Sequence, residues 1–403
     1  MPEHIFQPAN ILLPADIDFT KWCTIACDQF TSDASYWEAA EALVGDAPST
    51  LRMMLPEYYL GKRDEEAAAR QISDAMKNYL DRGIFRTLPH SFVYLERKLP
   101  NGKIRRGLIG KVDLEAYDYA RDSRTPVRAT EGTVESRLPA RVEVRKKALL
   151  EMPHIMLFFN DLTDAVMRSA AGLASDTVYD FELMLGGGHV RGQAVSGAAA
   201  DCLSDQIATS VSHSTLQFAV GDGNHSLAAA RKLWLEKRAT IPQEEWIAHP
   251  ARYALVELVN IHDPAITFEP IHRAIFRTDP AHIFDAAREA LFLPCSDRSI
   301  TILSNGERLS LPAAGSSIGE TIDLTERFCC DYISTYGGEI DYIHGELETE
   351  ALAAAENTVG ILLPNMDKNE LFSSVAKTGP FPKKSFSIGL GPDKRYYLEC
   401  RAL

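Results

Sequence analysis

Between two strand-like runs, Ser91–Arg97 (SFVYLER) and Ile104–Val112 (IRRGLIGKV), stands Pro100-Asn101-Gly102-Lys103. Asn-Gly supplies the positive-φ residues of a tight turn at little steric cost, so the two runs are expected to pair antiparallel. Gly186-Gly187-Gly188 divides a second hairpin pattern, ELML and HVRGQAV. Hairpins at two places argue against a doubly wound parallel sheet. Helical patterns lie between the strands. Asp64–Arg82 places Ile72, Met76 and Tyr79-Leu80 on one face and stops at Gly83. Ala281–Leu291 and Ile322–Tyr336 read as helices, and Asp367 caps another that runs to Lys377. Ser35-Tyr36-Trp37-Glu38 has capping-box spacing, predicting a helix from there to Val44. Strands are expected at Ile11–Leu13, Ile155–Phe159, Tyr253–Ile261, Val359–Leu363 and Lys394–Cys400. Val142 and Val144, alternating with Arg141, Glu143 and Arg145, predict one more with a charged face. The fold class that follows is α+β, with mixed, largely antiparallel sheets and flanking helices. Three regions are expected: 1–125, 126–275, and 276–403 packed on the others.

With 403 residues, 45% of them hydrophobic, the chain can fill two or three cores. Its net charge of −14 would repel a phosphate backbone, so no nucleic-acid partner is expected. Met1–Asn10 lacks the apolar stretch of a signal peptide, and no apolar run is long enough for a membrane span. Seven cysteines without scaffold spacing fit a reducing, cytoplasmic setting. Cys23 with Cys27, and Cys329 with Cys330, are either metal or redox pairs or small apolar fillers. No second ligand pair follows at zinc-like spacing, which favours the fillers.

The stretch FAVGDGNHSLAAARKLW, Phe218–Trp234, carries the densest chemistry. An apolar run meets Gly221-Asp222-Gly223-Asn224-His225 before helix formers take over. Gly221 and Gly223 permit positive φ and close approach of a ligand to the backbone. Asn224, His225 or Ser226 begins a helix, whose free N–H groups and positive dipole end favour an anion. Asp222 and His225 add a carboxylate and an imidazole, so phosphate, or phosphate with its metal, would fit. The alternative is a plain strand–turn–helix junction in which Asp222 or Asn224 is only the cap. The Walker A spacing is absent.

Other polar groups admit two readings each. Arg128-Ala129-Thr130-Glu131-Gly132-Thr133 offers a phosphate clamp in Arg128 and a general base or metal ligand in Glu131, or else a polar turn. His272 and Arg273 can supply an acid and a phosphate donor, or a hydrogen-bonded core histidine and its neighbour. Asp28-Gln29 after the apolar run WCTIAC, Lys383-Lys384, and His189 are ligand-facing groups or solvated loops. Gly315-Ser316-Ser317-Ile318-Gly319 has nucleophile-elbow spacing but follows no buried strand, so it reads as a loop.

The chain resembles, nearly end to end, the uncharacterised prokaryotic family named domain of unknown function 1015. The resemblance is carried by Ala26–Glu38 (ACDQFTSDASYWE), Pro48–Leu60, Arg128–Arg145, Met152–Asp161 (MPHIMLFFND), Gly186–Gly192, Val220–Ala230 (VGDGNHSLAAA), His249–Arg273 and Phe381–Gly389 (FPKKSFSIG). Locally, Asp222, Gly223 and His225 are similar to the D-G-H-H-R phosphate motif of ParB-like and sulfiredoxin-like domains, which include free serine kinases. Asn224 and Ser226 replace that motif's second histidine and its arginine. The missing guanidinium must then come from Arg128, Arg137, Arg141 or Arg273.

The resemblance implies a ParB/sulfiredoxin-like core that binds ATP or ADP with Mg²⁺ and transfers phosphate to a small hydroxylated metabolite such as serine. In that scheme Gly221, Gly223, Asn224 and Ser226 hold phosphate together with Arg128 and Arg273. Asp222 or Glu131 holds the metal, and His225 is the general acid or base. A phosphomonoester hydrolase and a non-catalytic nucleotide-responsive binding protein are the rival readings.

Overall fold

The computed structural model describes residues 4–152, 154–294, 296–389 and 391–403. Met1–Glu3 of the leader reading, Pro153 within MPHIMLFFND, Cys295 and Leu390 lie outside the described residues. The Phe85–Lys98 strand sets the layering. Successive strand side chains point to opposite faces. Phe92 and Tyr94 enter one core while Val93 and Leu95 enter another, so both faces have to be covered. The Ala198–Val211 and Asn224–Arg238 helices cover the first face through Leu203, Ile207, Leu227 and Trp234. The Ala34–Val44 and Glu65–Asp81 helices cover the second through Trp37, Val44, Ile72 and Met76.

This strand belongs to an eleven-stranded sheet among the described residues. Both expected hairpins are present: Phe85–Lys98 with Ile104–Asp113, and Thr177–Glu182 with His189–Ser196. Beyond Ile104–Asp113 the path continues through Tyr253–Asn260, Met156–Phe159, Phe218–Asp222 and Val127–Ala129 to Tyr117–Asp118. Three of these contacts are parallel. A second, six-stranded sheet is antiparallel in every pairing and centres on Phe268–Phe276 and Thr358–Leu362. Its core joins Ile275, Ile302 and Ile361 to Phe284, Phe328 and Leu371 from three helices. The protein is therefore α+β, with mixed, largely antiparallel sheets. The expected boundary at 125 falls between two strands paired with each other, and the one at 275 falls inside the Phe268–Phe276 strand.

Three local expectations are corrected. Residues 141–145 form no strand but lie in the helix Leu138–Lys147. Pro139 suits its first turn, and Leu138 and Val142 are buried at helical i,i+4 spacing. The Ala34–Val44 helix is capped by Asp33, whose carboxylate accepts from the amides of Ser35 and Tyr36, and not by Ser35. The segment 394–400 is not one strand. Tyr396-Tyr397 pairs with Thr24-Ile25, Cys400 exchanges two backbone bonds with Leu12, and Arg401-Ala402 pairs with Leu150-Glu151. Among the described residues no helix is long and apolar enough to cross a membrane.

Candidate functional site

The strand Phe218–Asp222 lies between a parallel partner, Val127–Ala129, and an antiparallel one, Met156–Phe159. Parallel pairing carries Thr130 and Glu131 alongside Gly221 and Asp222. Antiparallel pairing brings the residues just before Met156, including His154, to the same end. Glu131 forms a backbone bridge with Phe381, which leads Lys384 in. The Ala26 amide donates to the Arg395 carbonyl at 3.0 Å, which sets Asp28 beside Lys394. These segments enclose a polar cavity of about 560 Å³ where the two sheets meet.

The loop itself shows why its glycines are there. Gly223 has φ +78° and precedes the first helical residue, Asn224. A β-carbon at Gly223 would also lie 2.9 Å from the Ile155 backbone, so conformation and space both select glycine. Gly221 lines the cavity, but not for the reason expected: the space of its missing side chain is filled by the Phe158 ring, 2.3 Å from an ideal Cβ. No side chain caps the Asn224–Arg238 helix, which leaves its first-turn amides for an anion. Asn224 is buried and its Oδ1 has no hydrogen-bond partner. An orphaned buried amide oxygen costs about 1–3 kcal/mol, a cost that a ligand's donor would remove.

Charges of both signs face this loop. Asp222 receives the Gly223 amide on Oδ1 at 2.9 Å and the Lys394 ammonium on Oδ2 at 3.1 Å. Glu131 accepts from the Lys384 amide, yet burial, with Asp222 nearby, pushes its carboxyl above the usual range. Burial works against the Asp28 charge, but His154, Gln29 and Lys394 together hold that carboxyl below the usual range. Arg141 is bound to Glu57 at the cavity wall.

His225 accepts the Val134 amide on Nε2 at 3.1 Å. Burial, then Arg141 and Arg137, lower its pKa to about 4. At neutral pH it is an uncharged imidazole with one nitrogen occupied, so of the acid and base roles expected for it the acid one is not favoured by this geometry. A pH prediction follows. The unfolded imidazole titrates near 6.5, so between about 6.5 and 4 the unfolded chain binds more protons and stability is lost as the pH falls. His225→Gln is expected to shrink the drop in Tm between pH 7 and pH 5. An identical drop in both proteins would refute the assignment.

A side-chain chain backs the loop. Ser226 Oγ lies 3.2 Å from His154 Nε2, His154 Nδ1 lies 2.8 Å from the Tyr397 hydroxyl, and that hydroxyl donates to Cys27 Sγ at 3.2 Å. Burial raises the Cys27 thiol to about 12, so it is no thiolate ligand. Cys23 is buried with its pKa also raised, and the six described cysteines are all free.

Two expected phosphate donors are elsewhere. Arg128 is buried with its guanidinium on the carbonyls of Thr125 (2.7 Å) and Thr215 (3.2 Å). Arg273 is fully buried in the second sheet, held by Glu326 at 2.9 Å and by the carbonyls of Ile271 and Lys384. His272 likewise accepts the Leu363 amide, at 3.1 Å. The cationic groups that do line the cavity are Arg137, Arg141, Lys384 and Lys394. Lys394, His154 and His344 carried no local motif in the sequence; for His154 the available signal was its place in MPHIMLFFND, at the mouth of a buried strand.

Among the described residues no group of three or more His, Cys, Asp or Glu is arranged to hold a metal ion. Asp222 lies close enough for its charge to raise the Glu131 carboxyl. Two carboxylates suit Mg²⁺, which keeps waters and takes phosphate oxygens as further ligands, provided Lys394 yields its place on Asp222.

Solved structures similar in fold include a conserved hypothetical protein from Pyrococcus furiosus (9% identity, 72% of this chain and 93% of that one, TM-score 0.37). C-terminally truncated SbnI from Staphylococcus aureus gives 10%, 70%, 82% and 0.38, and free serine kinase in complex with AMP gives 10%, 72%, 90% and 0.40. No curated protein matches the sequence. The family model described as "Protein of unknown function (DUF1015)" matches residues 9–396, and the chain belongs to that family.

Proposed function

We propose that the protein binds a nucleotide or another phosphorylated small molecule at Asp222–Ser226 and transfers phosphate to a small hydroxylated metabolite such as serine. The observation that carries this reading is the uncapped helix end that faces Lys394 and Arg141 across one cavity. In this scheme the Asn224–Ser226 amides and Lys394 take phosphate oxygens, while Arg141 neutralises charge that develops on transfer. Glu131, with its raised pKa, receives the proton of the acceptor hydroxyl. Bound Mg²⁺ would draw charge from the phosphate, with Asp222 as its protein ligand.

A second reading, phosphomonoester hydrolysis, draws on the Ser226–His154 contact, because a hydroxyl beside an imidazole is the usual form of an activated nucleophile. A thermal-shift panel of ATP, ADP, CTP, GTP, phosphoserine and inorganic phosphate, with and without Mg²⁺, tests both. Wild type is compared with Asp222→Ala and His225→Ala. The expected result is a nucleotide-dependent shift in the presence of Mg²⁺ that both variants lose. Phosphate release from phosphoserine without nucleotide would favour the hydrolase, and no shift with any ligand in folded protein would end the phosphate reading.

A further inference from the structure

The polar cavity shares a wall with a second one of about 630 Å³. Cys27, Glu57, Leu60, Arg141, His154 and Ser226 face both. Beyond that wall the chemistry changes. The second chamber is lined by Met53, Met54, Met76 and Met152, four of the nine methionines in the chain, with Leu150 and Leu255 behind them. Thioether side chains are flexible and polarizable, so they mould to a ligand without fixing its outline.

Among the described residues no Asn, Gln or Thr side chain lines this chamber, and its further charged residues are either exposed (Glu65, Glu66, Glu143 and Lys147) or paired with each other (Arg145 with Glu151). Its aromatic ring is Tyr397, whose hydroxyl is already bound to His154 and Cys27. A nucleobase would find no side-chain amide to read its edge, whereas a saturated chain needs none. The volume falls within the roughly 300–1,000 Å³ of small-molecule sites.

We propose that the methionine-lined chamber binds the aliphatic chain of an amphipathic ligand, whose phosphorylated end lies past His154 and Ser226 in the polar cavity. This assignment rests on the phosphate reading of Asp222–Ser226 and adds the class of the group attached to the phosphate.

Isothermal titration of the intact protein with inorganic phosphate and with methyl, butyl, hexyl and octyl phosphate, all below micellar concentrations, tests it. Affinity should rise about fourfold per methylene and level off once the chamber is filled. Ala148→Phe, which places a ring in the chamber, should flatten the series and leave inorganic phosphate unchanged. If that variant does not fold, the wild-type series decides alone. Phosphate binding with no dependence on chain length would overturn the aliphatic assignment and leave the phosphate site standing. Failure of every phosphate, inorganic included, would overturn both. AMP binding tighter than octyl phosphate, and lost in Ala148→Phe, would give the chamber to a nucleobase instead.

Discussion

Arg395→Met is expected to destabilise the protein by about 3–5 kcal/mol, the range for removing one partner of a buried ion pair. Arg395 reaches Glu257 with Nη1 at 2.7 Å and Glu399 with Nη2, and both carboxylates are fully buried. Glu257 would keep an Arg105 contact at 3.4 Å, one without hydrogen-bond geometry. Glu399 would keep the Tyr179 hydroxyl, at 2.5 Å. A phenol does not neutralise a buried carboxylate, so the penalty falls mainly there. Urea unfolding followed by tryptophan fluorescence measures it, since Trp22 bonds the Leu398 carbonyl at 2.9 Å in the same segment. Adding Glu399→Gln should recover part of the loss by removing the orphaned charge. A loss below about 1 kcal/mol, the scale of one ordinary hydrogen bond, would mean that Arg97 and Arg105 suffice.

Lys394→Met is expected to weaken ADP binding without Mg²⁺ by about 10- to 100-fold, the equivalent of one hydrogen bond to a charged group. Its ammonium is mostly buried and neutralises Asp222, so its removal takes a cation from the phosphate and exposes an anion to it. Asp222→Asn should act with the opposite sign in the same buffer, because it removes only repulsion. Mg²⁺ should reduce the Lys394→Met loss by replacing the ammonium on Asp222, and it should help Asp222→Asn little. Equal losses with and without Mg²⁺ would confine Lys394 to direct phosphate contact. No loss in either would remove it from the site.

What could be read in the sequence was what neighbouring residues decide. Asn101-Gly102 dictates its own hairpin, and Gly223 before helix formers dictates where the Asn224–Arg238 helix begins. Arg128 and Arg273 were misplaced because a strand residue's direction depends on register with distant partners. Arg128 sits opposite Ala219, with its side chain on carbonyls away from the cavity, and Arg273 meets Glu326 on a helix 53 residues further along. The same dependence hid Lys394, which meets Asp222 only because Tyr396-Tyr397 pairs with Thr24-Ile25. The Val142/Val144 alternation failed for a related reason. A period of two within five residues also fits a helix, and burial of Leu138 with Val142 decided between them.

The three short pairings of residues 396–402 carry a consequence for synthesis. Leu12, Thr24-Ile25 and Leu150-Glu151 have left the ribosome long before their partners are translated. Until then the Leu12 backbone groups and the buried Trp22 indole lack native partners, and the Glu151 carboxylate lacks Arg401. The two small sheets at Thr24-Ile25 and Leu150-Glu151, and the Cys400 bridge to Leu12, thus cannot form until residues 396–402 have been translated, and they wait on contacts of very large sequence separation, which form slowly. For several hundred residues of translation the nascent chain presents apolar surface and unpaired strand edges, the features by which chaperones and proteases select their clients.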